Sequence, residues 1–485
     1  MKTALVLCAL TATALADPTA ADRKRVEQLE RDAQTSEAPD PFAEVGTAYM
    51  QLYNADPEAP GGDELLYNAG VAFEKSRAIG AAIQSFTLLR RQYPNSATAP
   101  RALARLARMY ADVAMYDKAA ERLEEYGTRY AGEKDAFAAL SDAIYFRKAI
   151  GDHDKVIADT RYFVKLFGAK RPQYAADAMW GLTSVYEADA DPDKVIKHLR
   201  EYIRMYGSRG DPGRVVIANA KIGQQLWKQS CPHRMLDGLC IETNERATTC
   251  GTGVTRTVTP TTRDGRKAKE ALAAFAAAAK EFERTQATDD ASARYFYAQA
   301  KLAAADAELE PYFALALPRD LDFDPANNAA RTASLKRFTQ WLEQKKKDGE
   351  GVRRKYEAVL ATKDAAGSIT AAARMGLVTQ TFASTLVTGV MPRDMQKGTA
   401  AAERRAAYCS TLRDIAAPIE AAAAEAFGVC LAKSTQLSWF DESSRACEHE
   451  LARLRPSEFP VATELHVQPS AFAPIVVSEP PPARR

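Results

Sequence analysis

Residues 67–96 read YNAGVAFEKSRAIGAAIQSFTLLRRQYPNS, and the spacing inside this stretch decides the fold. Let Leu66 be position 4 of a repeat. Ala69, Gly70, Phe73, Ala82, Phe86 and Pro94 then fall at positions 7, 8, 11, 20, 24 and 32. Small residues at 8 and 20 let the two helices of a hairpin approach closely. Large residues at 4, 11 and 24 fill the space between hairpins, and proline at 32 stops the second helix. The Ala-rich composition favours helix in the same direction.

The pattern recurs. Leu103, Leu106, Ala107, Tyr110, Ala119 and Leu123 occupy positions 4, 7, 8, 11, 20 and 24 of a second unit. A third keeps Leu140, Ala143 and Val156, but has Ile144 and Thr160 where a small and a large residue belong. A fourth has Met179, Leu182, Tyr186, Val195 and Leu199, and a fifth first helix has Ile222, Gly223 and Leu226. Position 8 recurs after 37, 37, 39 and 40 residues, at Gly70, Ala107, Ile144, Thr183 and Gly223. The fifth hairpin is interrupted. Its first helix ends near Trp227 and its second resumes at Lys267. Between them, residues 228–266 carry Cys, Gly, Pro and Thr without a helical period, and "RTVTPTT" (256–262) suits a short hairpin or edge strand.

The stretch from about 63 to 280 resembles the tetratricopeptide (TPR) family, whose standard period is about 34 residues. The phrases at 67–96 and 116–130 ("YDKAAERLEEYGTRY") are most similar to envelope TPR proteins of Gram-negative bacteria. Among these are the outer-membrane assembly lipoprotein and the cell-division coordinator of the Tol–Pal system. The resemblance implies an all-α fold: a right-handed α-α superhelix, a TPR-like solenoid, over 41–280. Residues 17–40 form a linker or helix before it, and 281–470 a helical domain outside the repeat pattern. That region carries stripes of large residues at three-to-four spacing, punctuated by Pro318, Pro325, Pro392 and Pro418. Its phrases "YFALALPRDLDFDP" and "WFDESSRACEHELARLRPSEFP" look similar to TPR proteins of myxobacteria, some linked to gliding motility. Residues 471–485 read as a disordered Pro-rich tail.

The N-terminus sets the compartment. Lys2, the apolar stretch 3–14 and Ala14-Leu15-Ala16 read as a signal peptide over 1–16, cleaved after Ala16. Cys8 follows Leu7, not the small residue that a lipoprotein site needs. The expectation is a soluble periplasmic protein, at most peripherally associated with the outer membrane, with no later run able to span a bilayer. The remaining cysteines, 231, 240, 250, 409, 430 and 447, are even in number and suit disulfides. "PHRMLDGL" between Cys231 and Cys240 can fold back, which makes that pair the first expected bond. Cys409 and Cys430 flank Pro418; a chain reversal there would pair them and leave Cys250 for Cys447.

Several chemistries find little footing. Net charge is +2, without the basic excess of a nucleic-acid binder. Cys231, His233, Cys240 and Cys250 are zinc-type ligands without paired C-x2-C knuckles, and disulfides are favoured over metal. No metal, cofactor or catalytic motif is expected. Glu442-Ser443 is the one pair that suggests a lytic transglycosylase acid, and it reads more simply as the start of a helix. Lys345, Lys346, Lys347, Arg353, Arg354 and Lys355, interleaved with acids, read as a solvated helix face.

In TPR proteins, positions 2, 5, 9 and 12 of the first helices face the concave groove. Here they give Glu64, Tyr67, Val71 and Glu74; Arg101, Ala104, Arg108 and Ala111; Asp177, Trp180, Ser184 and Glu187; and Ile217, Ala220, Gln224 and Trp227. Tyr67, Val71, Glu74, Arg101, Arg108, Trp180, Glu187, Gln224 and Trp227 are the candidate partner-binding residues, being the types that anchor protein interfaces and their neighbours. The expected function is a non-enzymatic scaffold that holds envelope proteins or peptides in this groove. The alternative is a peptidoglycan-active enzyme or its regulatory subunit.

Overall fold

The computed structural model describes residues 20–460, apart from 252, 287, 288, 398 and 399. The expected signal peptide and Pro-rich tail lie outside them. The described chain is all-α but for one two-stranded hairpin. It forms two compact units that divide between His198 and Leu199, inside a helix, and not near 280.

The first unit is a row of short helices, each packed on the next. They are α1 (Ala20–Gln34), α2 (Pro41–Ala55), α3 (Gly62–Lys75), α4 (Ile79–Gln92), α5 (Ala99–Asp112), α6 (Tyr116–Arg129), α7 (Ala136–Ala149), α8 (His153–Phe167) and α9 (Pro172–Ala188), with α10 (Pro192–Tyr206) crossing the division. Each hairpin closes through one residue in the left-handed region: Arg77 (φ 61°), Ala114 (59°), Gly151 (75°) and Ala190 (53°). At the first three turns the next N–H, of Ala78, Met115 and Asp152, donates back to the carbonyl of Phe73, Tyr110 and Arg147 at 2.9, 2.8 and 3.0 Å. This six-to-one bond satisfies a carbonyl that the helix end would leave orphaned. The turn therefore recurs at the repeat period, although only one of its four residues is glycine.

Packing within hairpins follows the small-against-large rule. A Cβ on Gly70 would lie 2.6 Å from the Phe86 ring, so only glycine lets α3 and α4 approach this closely. Between hairpins, equivalent tyrosines reach back one repeat: Tyr93 donates to the Pro57 carbonyl at 2.7 Å and Tyr130 to that of Pro94 at 3.1 Å. The third hairpin explains its weak sequence pattern. Arg147 stands where Phe73 and Tyr110 stand in the others; it is buried and paired with Glu124 (2.5 Å) and Asp152 (3.3 Å). Beside it, burial and the neighbouring Glu124 push the Asp159 carboxyl up to about 7.

The second unit opens with the interrupted hairpin. α11 (Pro212–Ser230) packs along α12 (Gly265–Thr285). A Cβ on Gly223 would meet the Phe275 ring at 2.8 Å, so the same lock survives an insertion between its halves. The inserted chain forms β1 (Ile241–Ala247) and β2 (Val254–Pro260), antiparallel, with Thr243 opposite Val258. Longer helices follow: α13 (Ala291–Ala314), α14 (Asn328–Leu360), α15 (Ala365–Val387), α16 (Ala401–Leu437) and α17 (Glu442–Leu454). β2 lies against α13 and α15.

Three disulfides join these parts: Cys231–Cys240, Cys250–Cys409 and Cys430–Cys447. The expected Cys409–Cys430 and Cys250–Cys447 pairs are therefore corrected. α16 does not reverse at Pro418 but runs through it. Cys409 and Cys430 sit on one helix, about 31 Å apart at 1.5 Å per residue, far beyond bonding range. Cys409 instead meets the β1–β2 turn, and Cys430 meets α17. A second correction concerns hydropathy. By length and composition alone α16 could cross a bilayer, contrary to the expectation of no such run. Here it packs along α15 and α17 through one face, where Ala423, Phe427 and Cys430 are buried.

Two measurements check this account. Gly70→Ala should destabilise by about 1–3 kcal/mol through overpacking on Phe86. Gly80, on α4, has open space where a methyl group would go. Gly80→Ala should therefore be neutral or stabilising by about 0.4–1 kcal/mol in urea denaturation. For Asp159, the folded pKa lies above the unfolded one, so stability falls as pH rises from about 4 to 7 and the loss is complete above that range. Asp159→Asn should therefore raise Tm at pH 8 and give little gain at pH 4.

Candidate functional site

The first helices of the first unit carry a cluster built on Tyr67. The Arg101 guanidinium lies 4.7 Å from its ring centroid. Arg105 Nε donates to the Tyr67 hydroxyl at 3.3 Å, while its Nη1 holds the Glu74 carboxylate at 2.5 Å. Arg101 thus joins Tyr67 through its ring, and Arg105, one position beyond the set chosen from sequence, links Tyr67 to Glu74. Val71, half-buried, packs on the core beneath.

Further along, Arg108 keeps 75% of its side chain exposed and forms a 3.9 Å ion pair with Asp112. Trp180 is half-buried and Glu187 exposed on α9. The groove set drawn from sequence has no member on α7, because the third repeat matches poorly. Yet Tyr145 stands at its position 9 and is 69% exposed, and Lys148 at position 12 donates to Ser184 on α9 at 3.1 Å. Counting from Leu140 through the turn finds both.

Gln224 and Trp227 belong to the second unit, and Trp227 is not a groove wall. It is 6% exposed, because the insertion after α11 folds back over it. Its Nε1 donates to the Gly238 carbonyl at 3.2 Å, and the Arg263 guanidinium lies 3.6 Å from its ring centroid. Arg263 also holds Glu310 with two bonds of 2.7 Å, and Glu310 in turn accepts the Cys240 N–H at 2.8 Å. Gln224 is half-buried next to this ring, at a cavity of 260 Å³.

A larger cleft of 780 Å³ runs beside β1, between the insertion and α15 and α17. Four of its charged residues, Asp237, Arg256, Arg374 and Glu450, are held in ion pairs. Arg374 bonds Asp237 (2.7 Å) and Asp306 (3.3 Å), and Tyr356 donates to Asp306 at 2.6 Å. Burial pushes the Asp306 carboxyl up against the pull of Arg374. Glu450 accepts from Arg256, Gln380 and Arg453. Glu442 is the first residue of α17, directly after Asp441, which forms a capping box with Ser444. That is the helix-start role expected of it. The cysteines of the zinc-type set are all in disulfides, and no metal-holding cluster occurs among the described residues.

The basic run also needs correction at one residue. Lys345 is fully buried, not solvated. Its Nζ donates to the carbonyls of Tyr312 (2.8 Å) and Leu315 (3.2 Å) at the end of α13, and burial lowers its pKa to about 8. A cation there answers both the orphan carbonyls and the negative helix end.

No protein-family model and no curated protein sequence matches the chain. Among solved structures it is similar to the MamA protein, at 15% identity and a TM-score of 0.24, over 47% of this chain and 96% of that one. The TPR domain of P58(IPK) gives 11% and 0.22, over 90% and 93% of the two chains. The Rap protein complexed with Competence and Sporulation Factor gives 8% and 0.23, over 90% and 99%. At these scores the likeness decides nothing about what this chain binds.

The reassignment of Trp227 is open to measurement. Trp227→Ala should cost about 3–5 kcal/mol in chemical denaturation, the loss of a packed aromatic, whereas a groove residue would cost little.

Proposed function

We propose that this chain is an exported, non-enzymatic scaffold that binds proteins or peptides of a bacterial envelope complex through the first-helix face of its N-terminal hairpin array. One observation carries the reading. Successive first helices present Tyr67 with Arg101 and Arg105, then Arg108, then Tyr145 and Lys148, on a framework whose turns and cores are spent on rigidity. Tyr and Arg on a preorganised surface are the side chains that dominate interface energies. Partners in extended or helical form would lie across several hairpins and meet one anchor from each. Neither cofactor nor nucleic acid has a part in this reading.

Export is supported by the signal-like N-terminus and by three disulfides, which persist in oxidising compartments. The cell-wall-enzyme alternative is weaker. It asks for an acid free to give a proton, while Asp237 and Glu450 of the second-unit cleft are bonded to arginines and Glu442 opens α17.

Crosslinked capture from the envelope, with the partners identified by mass spectrometry, tests the reading together with two variants. Arg108→Glu and Tyr145→Ala should each weaken capture roughly five- to tenfold while leaving Tm unchanged, since both side chains are exposed. Undiminished capture by the double variant would move the binding face elsewhere. N-terminal sequencing of the mature protein should begin at Asp17; an intact Met1 would remove the periplasm from the proposal.

A further inference from the structure

A second recess lies apart from the β1 cleft. It is a slot of 490 Å³ in the second unit, between the α14–α15 turn, α15 and the last turns of α16. Its walls are apolar: Leu360, Ala372, Met375, Ala426, Val429 and Leu437. Val429 is 54% exposed and Leu437 45%, on a helix that buries Ala423, Phe427 and Cys430. Just beyond stand Trp439 and Phe440, also exposed. Single exposed apolar residues are ordinary, but a contiguous set lining one recess marks a binding surface.

Positive charge outnumbers negative at this slot, two lysines to one carboxylate. Asp364 lines it, but its Oδ2 accepts the Gly367 N–H at 2.7 Å as the cap of α15. Lys363 and Lys433 also line it. Neither is in an ion pair among the described residues; Lys433 donates only to the neutral Gln436, at 2.8 Å. Two ammonium groups against one carboxylate leave an excess of positive charge beside an apolar recess, which complements a molecule with an apolar chain and an anionic head.

Size separates the candidate occupants. A protein partner at an ordinary interface covers about 800 Å² on each side. A recess of this volume instead falls within the range of about 300–1,000 Å³ typical of small-molecule sites. We infer that the slot binds a single-chain anionic amphiphile, its acyl chain along Ala372, Met375 and Val429 and its carboxylate or phosphate between Lys363 and Lys433. The ligand is a dissolved monomer, taken up one per chain, and not a bilayer surface.

Calorimetric titration of the full mature chain with decanoate, below its micelle concentration, tests this. Octyl glucoside supplies a chain without charge, and butyrate a charge without a chain. The expected result is one decanoate bound per protein, with octyl glucoside about tenfold weaker and butyrate without detectable binding. Lys363→Gln with Lys433→Gln should bring decanoate down to the octyl glucoside level. Val429→Glu, which places a carboxylate on the wall, should abolish binding. All three positions are on the surface, so unchanged Tm is expected and a folding failure would be visible at once. Equal affinity for decanoate and octyl glucoside, or full affinity in the double lysine variant, would overturn the proposal. So would absence of decanoate binding in a protein that co-floats with phosphatidylglycerol vesicles, which would make this a membrane-contact surface instead.

Discussion

A ring seated on a residue with almost no side chain is the constraint on which this molecule depends. Phe86 rests on Gly70, and Phe275 rests on Gly223. Each pair sets the distance between the two helices of a hairpin, and so fixes which residues face the next hairpin and which face solvent. Burying a phenylalanine is worth about 1.5–3 kcal/mol, while a methyl group on the glycine would force the ring away. The lock is indifferent to what lies between its halves. In α3–α4 they are joined by a three-residue turn, and in α11–α12 by a disulfide-bonded insertion carrying a β-hairpin. An insertion at a hairpin turn leaves the helix ends where they were, and loop closure grows only slowly with length.

That is why the first unit is legible in the sequence and the second only in outline. Small and large residues at fixed positions are a local code, repeated often enough to be read. The turn residues are hidden, because Arg77, Ala114 and Ala190 adopt a backbone that usually announces itself as glycine. The third hairpin is hidden for a different reason. Its core place is filled by Arg147, neutralised by Glu124, and a buried ion pair does not resemble a hydrophobic position in one dimension. The groove positions follow from the same register. They locate Tyr67, Arg101 and Arg108 on exposed or half-exposed helix surface, and lose Tyr145 with the weak repeat. Trp227 escapes the register because the residues that cover it come from the insertion, whose path has no period.

The second unit relies on cross-links and buried charge more than on repetition. Cys250–Cys409 joins residues 159 apart, and by chain-entropy arithmetic such a closure removes about 5 kcal/mol of freedom from the unfolded chain. Pairing by sequence proximity fails here because proline is not always a stop. In α16 the helix continues through Pro418, and packing on α15 offsets the lost hydrogen bond, so the two cysteines expected to meet are carried apart. Lys345 shows the converse. Within a charged run it looks solvated, yet the end of α13 leaves the Tyr312 and Leu315 carbonyls as acceptors, and the buried Lys345 ammonium reaches both.

Arginine is used in two ways, enclosed and paired as at Arg147, Arg263 and Arg374, or outside the core as at Arg101 and Arg108. In the second unit, Arg263 and Arg374 are nearly enclosed and each is bonded to carboxylates; removing one would strand a buried charge, at about 3–5 kcal/mol. Such groups hold a structure together and are poorly placed to meet a partner. In the first unit, Arg101 and Arg108 stand outside the core, where a surface ion pair contributes at most about 1 kcal/mol to folding. A guanidinium that stability does not require, resting on a tyrosine whose own position is fixed by packing, keeps its hydrogen-bonding capacity for another molecule. Under the proposed function, the face that the fold needs least is thus the one offered to a partner.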